Sequence, residues 1–238
     1  GYEFVKTDFS PDGNTRFVLD YQMLADYAPD STEVPAMGIN TGDGQFGIGA
    51  GPLNGEFVVR ARARADWSAY TLVEGTSGYA RNTVELRGDG TILVNGDEIA
   101  EKQPGLNKTS SCDGGMYLFA INESQLTRYR CVARVWGCQL YDGDALRRDF
   151  VPCYEASSRA FGLYDVANGK FYGNASGKGA FTGPLEPRAL GCGDWRRFEC
   201  ESTISFGRSG LAAPIADVPV LVRGDESLDY GSVMKVVK

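Results

Sequence analysis

The sequence predicts an all-β protein, a two-sheet antiparallel sandwich with a short β appendage at its C-terminal end. Apolar and polar residues alternate over short stretches, turn-forming sequences separate these stretches, and helical periodicity is nearly absent. The 31 glycines, 12 tyrosines and 12 phenylalanines favour short strands joined by tight turns. Closely spaced strands without intervening helices are typical of antiparallel sandwiches and barrels.

The clearest predicted strand is Phe57–Ala65, in which small apolar residues and arginines alternate. Asn95-Gly96 predicts a hairpin turn, because both residues tolerate a positive φ. Glu123–Thr127 is the segment that favours a single helical turn. The other predicted strands are Arg16–Tyr21, Ala80–Arg87, Thr91–Val94, Met116–Ile121, Tyr129–Tyr141, Leu146–Val151, Phe161–Tyr164, Lys170–Tyr172 and Val218–Arg223.

The charge and the residue types exclude several classes of function. A net charge of −7 argues against general binding to nucleic acid or anionic membranes, which requires positive potential. The chain has no histidine, so Ser/His/Asp and Cys/His catalytic arrangements cannot form, and the commonest zinc ligand is missing. No apolar run approaches the roughly 20 residues of a membrane helix. We therefore expect no nucleic-acid partner, no membrane insertion and no zinc centre.

The six cysteines favour disulfides and an exported protein, because their number is even and the chain is a glycine-rich β protein. The alternative is buried free thiols in a reducing compartment. Six cysteines allow about 15 pairings. A short predicted hairpin favours the pair Cys138–Cys153, and the short separation in sequence favours Cys192–Cys200. Cys112 and Cys131 are the two cysteines that remain. The expected pairs are Cys138–Cys153, Cys192–Cys200 and Cys112–Cys131.

The composition changes near Gly183–Pro187, where two prolines lie within four residues and indicate a short linker. We therefore divide the chain into a sandwich over residues 1–183 and a linker with a partial β-rich segment over 184–238. About fifty residues bury little apolar core by themselves. The tail is accordingly expected to pack on the sandwich or to await a partner.

Several stretches resemble the C-terminal strands of bacterial laminin-G-like, concanavalin A-like modules. They are Cys138–Gly143, Arg148–Cys153 and Gly162–Asn174, and Met116–Ala120 resembles the core strand that precedes them. The resemblance is specific over about residues 116–183 and looser over 1–115. It implies a two-sheet jelly roll, a module that binds glycans or surface proteins, and a secreted or cell-surface location.

The tail also resembles a known sequence pattern. Trp195–Arg197 through Val218–Arg223 is similar to the opening strands of a bacterial domain of unknown function that neighbours such modules. This resemblance implies that the chain stops within a second domain of a longer multidomain protein.

Arginines at alternating positions are the most informative pattern. Arg60, Arg62 and Arg64 share one strand face by the period-two rule, and the apolar residues between them share the other. Two further predicted strands repeat the pattern, one with Arg81 and Arg87, the other with Arg128, Arg130 and Arg134. If these strands are neighbours, they form a basic face for carboxylates or sulfates, which arginine binds with two hydrogen bonds. The alternative is a solvated face with Arg–Glu pairs across strands.

Trp67 and Tyr70 lie near a strand junction and are candidate platforms for stacking on sugar rings, whereas Trp136 is expected in the core. No cofactor is expected. Calcium is the one ion that such modules suggest, and Asp12, Asp43 and Asp113 are available as ligands. These aspartates are also ordinary turn formers, which is the alternative reading.

No catalytic centre is expected. Glycoside hydrolases on a related fold carry an acidic triplet, E-x-D-x-x-E, and the chain has none. The nearest acidic clusters, Glu85 with Asp89 and Asp97 with Glu98, border glycine turns. The leading hypothesis is a non-catalytic carbohydrate-binding or adhesion module, favouring acidic glycans, of an exported bacterial protein. Alternatives are an assembly subunit that adds its C-terminal strand to another sheet or another copy, and a glycoside hydrolase.

Overall fold

The structure is a computed structural model of the 238-residue chain. It describes residues 3–24, 36–41, 44–64, 70–99, 103–106, 114–128, 130–155, 160–181 and 221–223. The regular secondary structure within these ranges is entirely β-strand, which confirms the predicted all-β class.

The described part of the chain contains seventeen strands. They are β1 (Val5–Lys6), β2 (Thr15–Met23), β3 (Ala36–Thr41), β4 (Gly44–Leu53), β5 (Glu56–Arg64), β6 (Thr71–Ser77), β7 (Asn82–Arg87), β8 (Ile92–Val94), β9 (Asp97–Glu98), β10 (Tyr117–Leu118), β11 (Ile121–Glu123), β12 (Leu126–Arg128), β13 (Ala133–Asp142), β14 (Ala145–Glu155), β15 (Ala160–Asp165), β16 (Lys170–Tyr172) and β17 (Leu221–Arg223).

These strands form two sheets. Sheet A has the order β1-β10-β3-β4-β5-β6, with β11 beside β3 and β12 beside β11. Sheet B has the order β16-β15-β14-β13-β2-β7-β8-β9, with β17 added to β14. Neighbouring strands in the described part are antiparallel, apart from the parallel pairs β3–β11 and β14–β17.

One apolar core lies between the two sheets. Strand β2 of sheet B alternates cleanly, with every second residue from Thr15 to Met23 buried. The Phe17 ring lies 6.2 Å from the ring of Phe46 in sheet A. The Tyr21 hydroxyl donates a 2.6 Å hydrogen bond to the Gly49 carbonyl oxygen, also in sheet A. The central strands of the two sheets are therefore in direct contact.

Most of the predicted strands are present, but the sequence patterns missed the short strands β1, β9 and β12 and the longer strands β3, β4 and β6. Strand β4 carries four glycines, and glycine disfavours strand formation. The close approach of β3 to β4 explains Gly38 of β3 and Gly47 of β4. A Cβ at Gly38, whose φ is +148°, would collide with the Phe46 carbonyl oxygen, and one at Gly47 would lie 2.7 Å from the Met37 carbonyl oxygen.

The predicted strand Met116–Ile121 is interrupted in the structure. Phe119 has a φ of +68° and separates β10 from β11. A positive φ is rare for a bulky residue, so the sequence pattern does not predict this break in the strand. Phe119 is nonetheless fully buried, with its ring 5.4 Å from that of Phe181.

The predicted helical turn at Glu123–Thr127 is wrong. Strands β11 and β12 form a tight hairpin there, and Ser124 and Gln125 both have positive φ at its turn. Two consecutive positive φ angles match the right-handed twist of the flanking strands, which is why this turn type joins hairpins.

The tail contributes a strand to sheet B. Leu221–Arg223 pairs in parallel with Cys153–Glu155 of β14. The pairing of β13 with β14 ends at Cys138 and Phe150, and β17 pairs with the part of β14 that follows Phe150. The remainder of 182–238 lies outside the described residues, as do Val218–Val220 of the predicted strand.

Two of the three predicted disulfides are not formed. Cys131 and Cys138 are buried free thiols, which excludes the pairs Cys112–Cys131 and Cys138–Cys153 in this structure. Cys138 lies opposite Phe150, and Cys153 is three residues further along β14, about 10 Å away at the strand rise and on the other face. That separation exceeds the roughly 7 Å Cα–Cα limit for a disulfide.

The last predicted pair, Cys192–Cys200, and Cys112 itself lie outside the described residues. For Cys131 and Cys138 the alternative of buried thiols is the correct one.

Replacing Gly38 by alanine should destabilise the fold, since the new Cβ meets both an unfavourable φ and the Phe46 carbonyl. We expect a loss of roughly 2–6 kcal/mol in the free energy of unfolding, measured by urea denaturation. Gly137→Ala is the matched control, because its Cβ would find no atom nearer than 3.9 Å. Equal losses at the two glycines would contradict the proposed close approach of β3 and β4.

The free thiols predict a loss of stability at alkaline pH. Burial raises the pKa of Cys131, and burial with the charges of Asp149 and Asp165 raises that of Cys138. The unfolded chain loses these protons near pH 8.5, whereas the folded protein keeps them. Stability is therefore complete below about pH 8.5 and falls above it, by up to about 1.4 kcal/mol per pH unit for each thiol.

Urea denaturation between about pH 7 and pH 10 measures this slope. Cys138→Val should make the slope shallower, because one shifted thiol is removed. An unchanged slope in that variant would show that other groups cause the pH dependence.

Candidate functional site

Strand β5 has a buried apolar side and an arginine side, as its alternation predicts. The inward side lies in the core and consists of Val59, Ala61 and Ala63. The outward side consists of Arg60, Arg62 and Arg64. Arg60 and Arg62 are only 6% and 7% exposed. The outer face of sheet A thus holds arginines that are largely shielded from water.

The Tyr70 ring stacks against two of these arginines. The guanidinium carbon of Arg60 lies 3.4 Å from the ring centroid, and that of Arg62 lies 4.5 Å from it. The pairing of Arg60 with Leu72 explains the contact, because it places Tyr70 beside Arg62 at the start of β6. Two predicted types of site residue, the arginines of β5 and an aromatic side chain, therefore meet on this face.

Burial lowers the pKa of Arg62. Tyr70 opposes this shift, whereas the positive charges of Arg60 and Arg64 add to it. An anion beside Arg62 would act in the opposite direction, since an opposite charge favours the charged form.

A row of polar side chains crosses the same outer face. Register places Arg64 of β5 beside Gln45 of β4, Gln45 beside Asn40 of β3, and Asn40 beside Glu123 of β11. We call these four residues the amide row. Asn40 donates a 3.0 Å hydrogen bond from Nδ2 to Oε1 of Glu123, whose Oε2 lies 3.4 Å from Nε of Arg128.

The two amides of the row are buried and incompletely hydrogen-bonded. Gln45 is 2% exposed and Asn40 4% exposed. Neither side-chain amide atom of Gln45 has a hydrogen-bond partner, and Oδ1 of Asn40 has none. Because Phe46 and Ile48 point into the core, Gln45 points to the outer face.

The predicted basic face that joins the arginines of two strands is not formed. Arg81 and Arg87 flank or end β7, which lies in sheet B, whereas β5 lies in sheet A. Arg81 makes two hydrogen bonds to Asp20, of 2.9 and 2.7 Å, and Arg87 lies 2.6 Å from Glu85. Strands β5 and β7 resemble each other in sequence pattern, but the sandwich places their outer faces on opposite sides.

The third group of arginines is also divided. Arg128 belongs to β12 of sheet A, Arg134 belongs to β13 of sheet B, and Arg130 lies between the two strands. The expectation that they share a face is wrong, because the chain changes sheets between β12 and β13.

Of the two predicted aromatic platforms, Tyr70 is found against Arg60, and Trp67 lies outside the described residues. Trp136 is among the buried hydrophobic residues, as predicted, although it lies outside the core cluster between the sheets. It sits at an irregularity in the β2–β13 pairing, with the Arg81 guanidinium 4.5 Å from its ring.

The candidate calcium ligands form no cluster in the described ranges, which contain no group of three His, Cys, Asp or Glu side chains suited to a metal. Oδ1 of Asp12 accepts hydrogen bonds from the Asn14 amide and the Thr15 hydroxyl, so Asp12 shapes a turn. Asp43 and Asp113 lie outside the described residues.

A depression of about 220 Å³ lies on another part of the surface. Three aspartates line it, but each already has a local role. Asp8 lies 2.6 Å from Arg148, Asp142 lies 2.7 Å from Arg147, and Asp12 holds the turn described above. These carboxylates therefore serve the fold.

The buried carboxylate Asp165 also has a structural role. Its oxygens accept hydrogen bonds from the backbone amides of Asp149 and Ala167 and from the Asn168 side chain. These contacts organise the β15–β16 turn and leave the carboxylate occupied.

The sequence patterns missed Gln45, Asn40 and Glu123. Gln45 lies in the glycine-rich β4, Asn40 lies in β3, and Glu123 lies in the segment whose pattern favours a helical turn. A weaker signal was present, because Phe46, Ile48 and Ala50 alternate with Gln45 and glycines along β4.

No protein-family model, no curated protein and no solved structure matches the chain. The laminin-G-like resemblance therefore remains a prediction. The part of the chain described by the structure contains no helix long and apolar enough to cross a membrane.

The stack of Tyr70 on Arg60 should contribute measurably to stability, because the pair is shielded from water. We expect Tyr70→Leu to lower the free energy of unfolding by about 2 kcal/mol, measured by urea denaturation. Tyr141→Leu is the comparison, because Arg16 lies 3.8 Å from the Tyr141 ring at a more exposed position. The smaller effect expected there is about 0.5–1 kcal/mol, and the reverse order would contradict the assignment.

Proposed function

We propose that the protein is a non-catalytic binding module for acidic glycans, and that the outer face of sheet A is its binding site. The observation that carries the proposal is the placement of Arg60, Arg62 and Arg64 on one face, with Tyr70 stacked on the first two. The amide row extends this face with further hydrogen-bonding groups.

Arginine suits a carboxylate or sulfate, because its planar guanidinium donates two parallel hydrogen bonds to such groups. Shielding from water strengthens these interactions. The whole chain carries a net charge of −7, so its overall field repels anions. Binding of an acidic glycan would accordingly depend on the local geometry of this face rather than on general attraction.

The wider setting of the proposal is a secreted or cell-surface module of a bacterial multidomain protein, with a laminin-G-like jelly-roll fold. This setting rests on the sequence resemblance. Disulfides do not support it, because Cys131 and Cys138 are free thiols.

The alternative function, addition of the C-terminal strand to another sheet, meets an obstacle. Leu221–Arg223 already pairs with β14 of its own chain. Strand addition would require β17 to leave that position.

A glycan array probed with the full chain tests the proposal. We expect binding to carboxylated or sulfated glycans and little binding to their neutral counterparts. Arg64→Gln should weaken binding by about 10- to 100-fold, because it removes a charge-assisted hydrogen bond worth roughly 1.5–3 kcal/mol. Added salt should weaken binding as well, since salt screens the partly exposed Arg64.

Arg87→Gln is the matched control. It removes the same charge from the outer face of sheet B, where Arg87 is paired with Glu85. Binding should be unchanged in this variant. Equal weakening by both substitutions would indicate general charge attraction and would contradict a site on sheet A, as would an array without preference for acidic glycans.

A further inference from the structure

Gln45 is unusual because both of its side-chain amide atoms are buried without a hydrogen-bond partner. An unpaired buried donor or acceptor costs free energy, and an apolar side chain of similar shape is often more stable at such a position. The fold alone therefore gives no reason for a glutamine here. A bound molecule that supplies both an acceptor and a donor would provide one.

Asn40 repeats this feature one strand away. Its Nδ2 is engaged by Glu123, which fixes the orientation of the amide, and its Oδ1 is left as a buried acceptor. The row thus offers one complete amide at Gln45 and one acceptor at Asn40, between a cationic end at Arg64 and a carboxylate end at Glu123.

We propose that the amide row is a subsite for a single sugar acid. Its carboxylate is bound by Arg64 and Arg62, and its neighbouring hydroxyls are bound by Gln45 and Asn40. This inference rests on the proposed function and deepens it by naming the ligand class, a carboxylated pyranose such as a uronic acid residue.

The spacing of the row fits one sugar ring. Neighbouring strands lie about 4.8 Å apart, so the backbones of β5 and β3 are about 10 Å apart with Gln45 midway between them. A carboxylate held at β5 therefore leaves the ring hydroxyls over β4 and β3. A hydroxyl group both donates and accepts, which matches the two unpaired atoms of Gln45.

This complementarity favours a sugar acid over an acidic peptide. A glutamate side chain presents only acceptors beyond its backbone, so it would satisfy the arginines and leave the Asn40 Oδ1 acceptor unpaired. Both ends of the row keep some exposure, at Arg64 and at Glu123, so the proposed ligand would enter from an end of the row.

The decisive variant is Gln45→Met in the full chain, tested by calorimetric titration and thermal unfolding. The probes are oligogalacturonate, its neutral counterpart oligogalactose, and poly-glutamate. We expect oligogalacturonate to bind, oligogalactose and poly-glutamate to bind at least about tenfold more weakly, and Gln45→Met to weaken oligogalacturonate binding by roughly tenfold or more. The melting temperature of the ligand-free variant should rise, because an unpaired amide has been removed.

Gln139→Met is the matched control on sheet B. Its amide donates to Asp149 and its carbonyl accepts from Tyr141, so this variant should melt at a lower temperature and bind normally. A lower melting temperature for Gln45→Met with unchanged binding would show a structural glutamine and overturn the inference.

Equal binding of oligogalacturonate and poly-glutamate, unaffected by Gln45→Met but weakened by Arg64→Gln, would overturn the sugar subsite and leave anion binding by sheet A intact. Absence of binding to every anionic probe would overturn both proposals.

Discussion

Contact between the central strands of the two sheets determines which side of each strand faces inward. The rings of Phe17 and Phe46 meet across the gap, and the Tyr21 hydroxyl bonds to the Gly49 carbonyl oxygen. Because side chains alternate along a strand, these contacts also determine what faces outward. Because Phe46 faces the core, its neighbour Gln45 lies on the outer face of sheet A.

Arg60 and Arg62 on the outer face of sheet A differ in exposure from Arg81 and Arg87 on the outer face of sheet B. On sheet B, Arg81 and Arg87 pair with carboxylates while their side chains remain 48% and 44% exposed. Exposed pairs of this kind contribute little to stability. On sheet A, Arg60 and Arg62 are shielded and stack on Tyr70. Desolvated cations interact strongly with an incoming anion, which favours sheet A as the place of the proposed binding site.

The buried thiols, carboxylate and amides of this molecule differ in whether they have a role in the fold. The buried thiols of Cys131 and Cys138 pack as small apolar groups and are chemically inert, because burial suppresses the thiolate. Asp165 is buried and fully engaged by a turn. The two amide atoms of Gln45 and Oδ1 of Asn40 have no hydrogen-bond partner, which is why we infer a ligand at these atoms.

The sequence alone determined the all-β class, the strands with strong alternation such as β2 and β5, and the common face of Arg60, Arg62 and Arg64. Local period-two patterning is sufficient for these features. Only the tertiary structure decided that β5 and β7 lie in different sheets, and that β3 and the glycine-rich β4 are strands at all. Pairing between distant segments follows from core packing and from close backbone approach, as at Gly38 and Gly47. The amide row exists only through that pairing, because its four residues come from four different strands. Two of these strands, β3 and β4, are not evident from the sequence pattern, and β11 lies far along the chain from the other three.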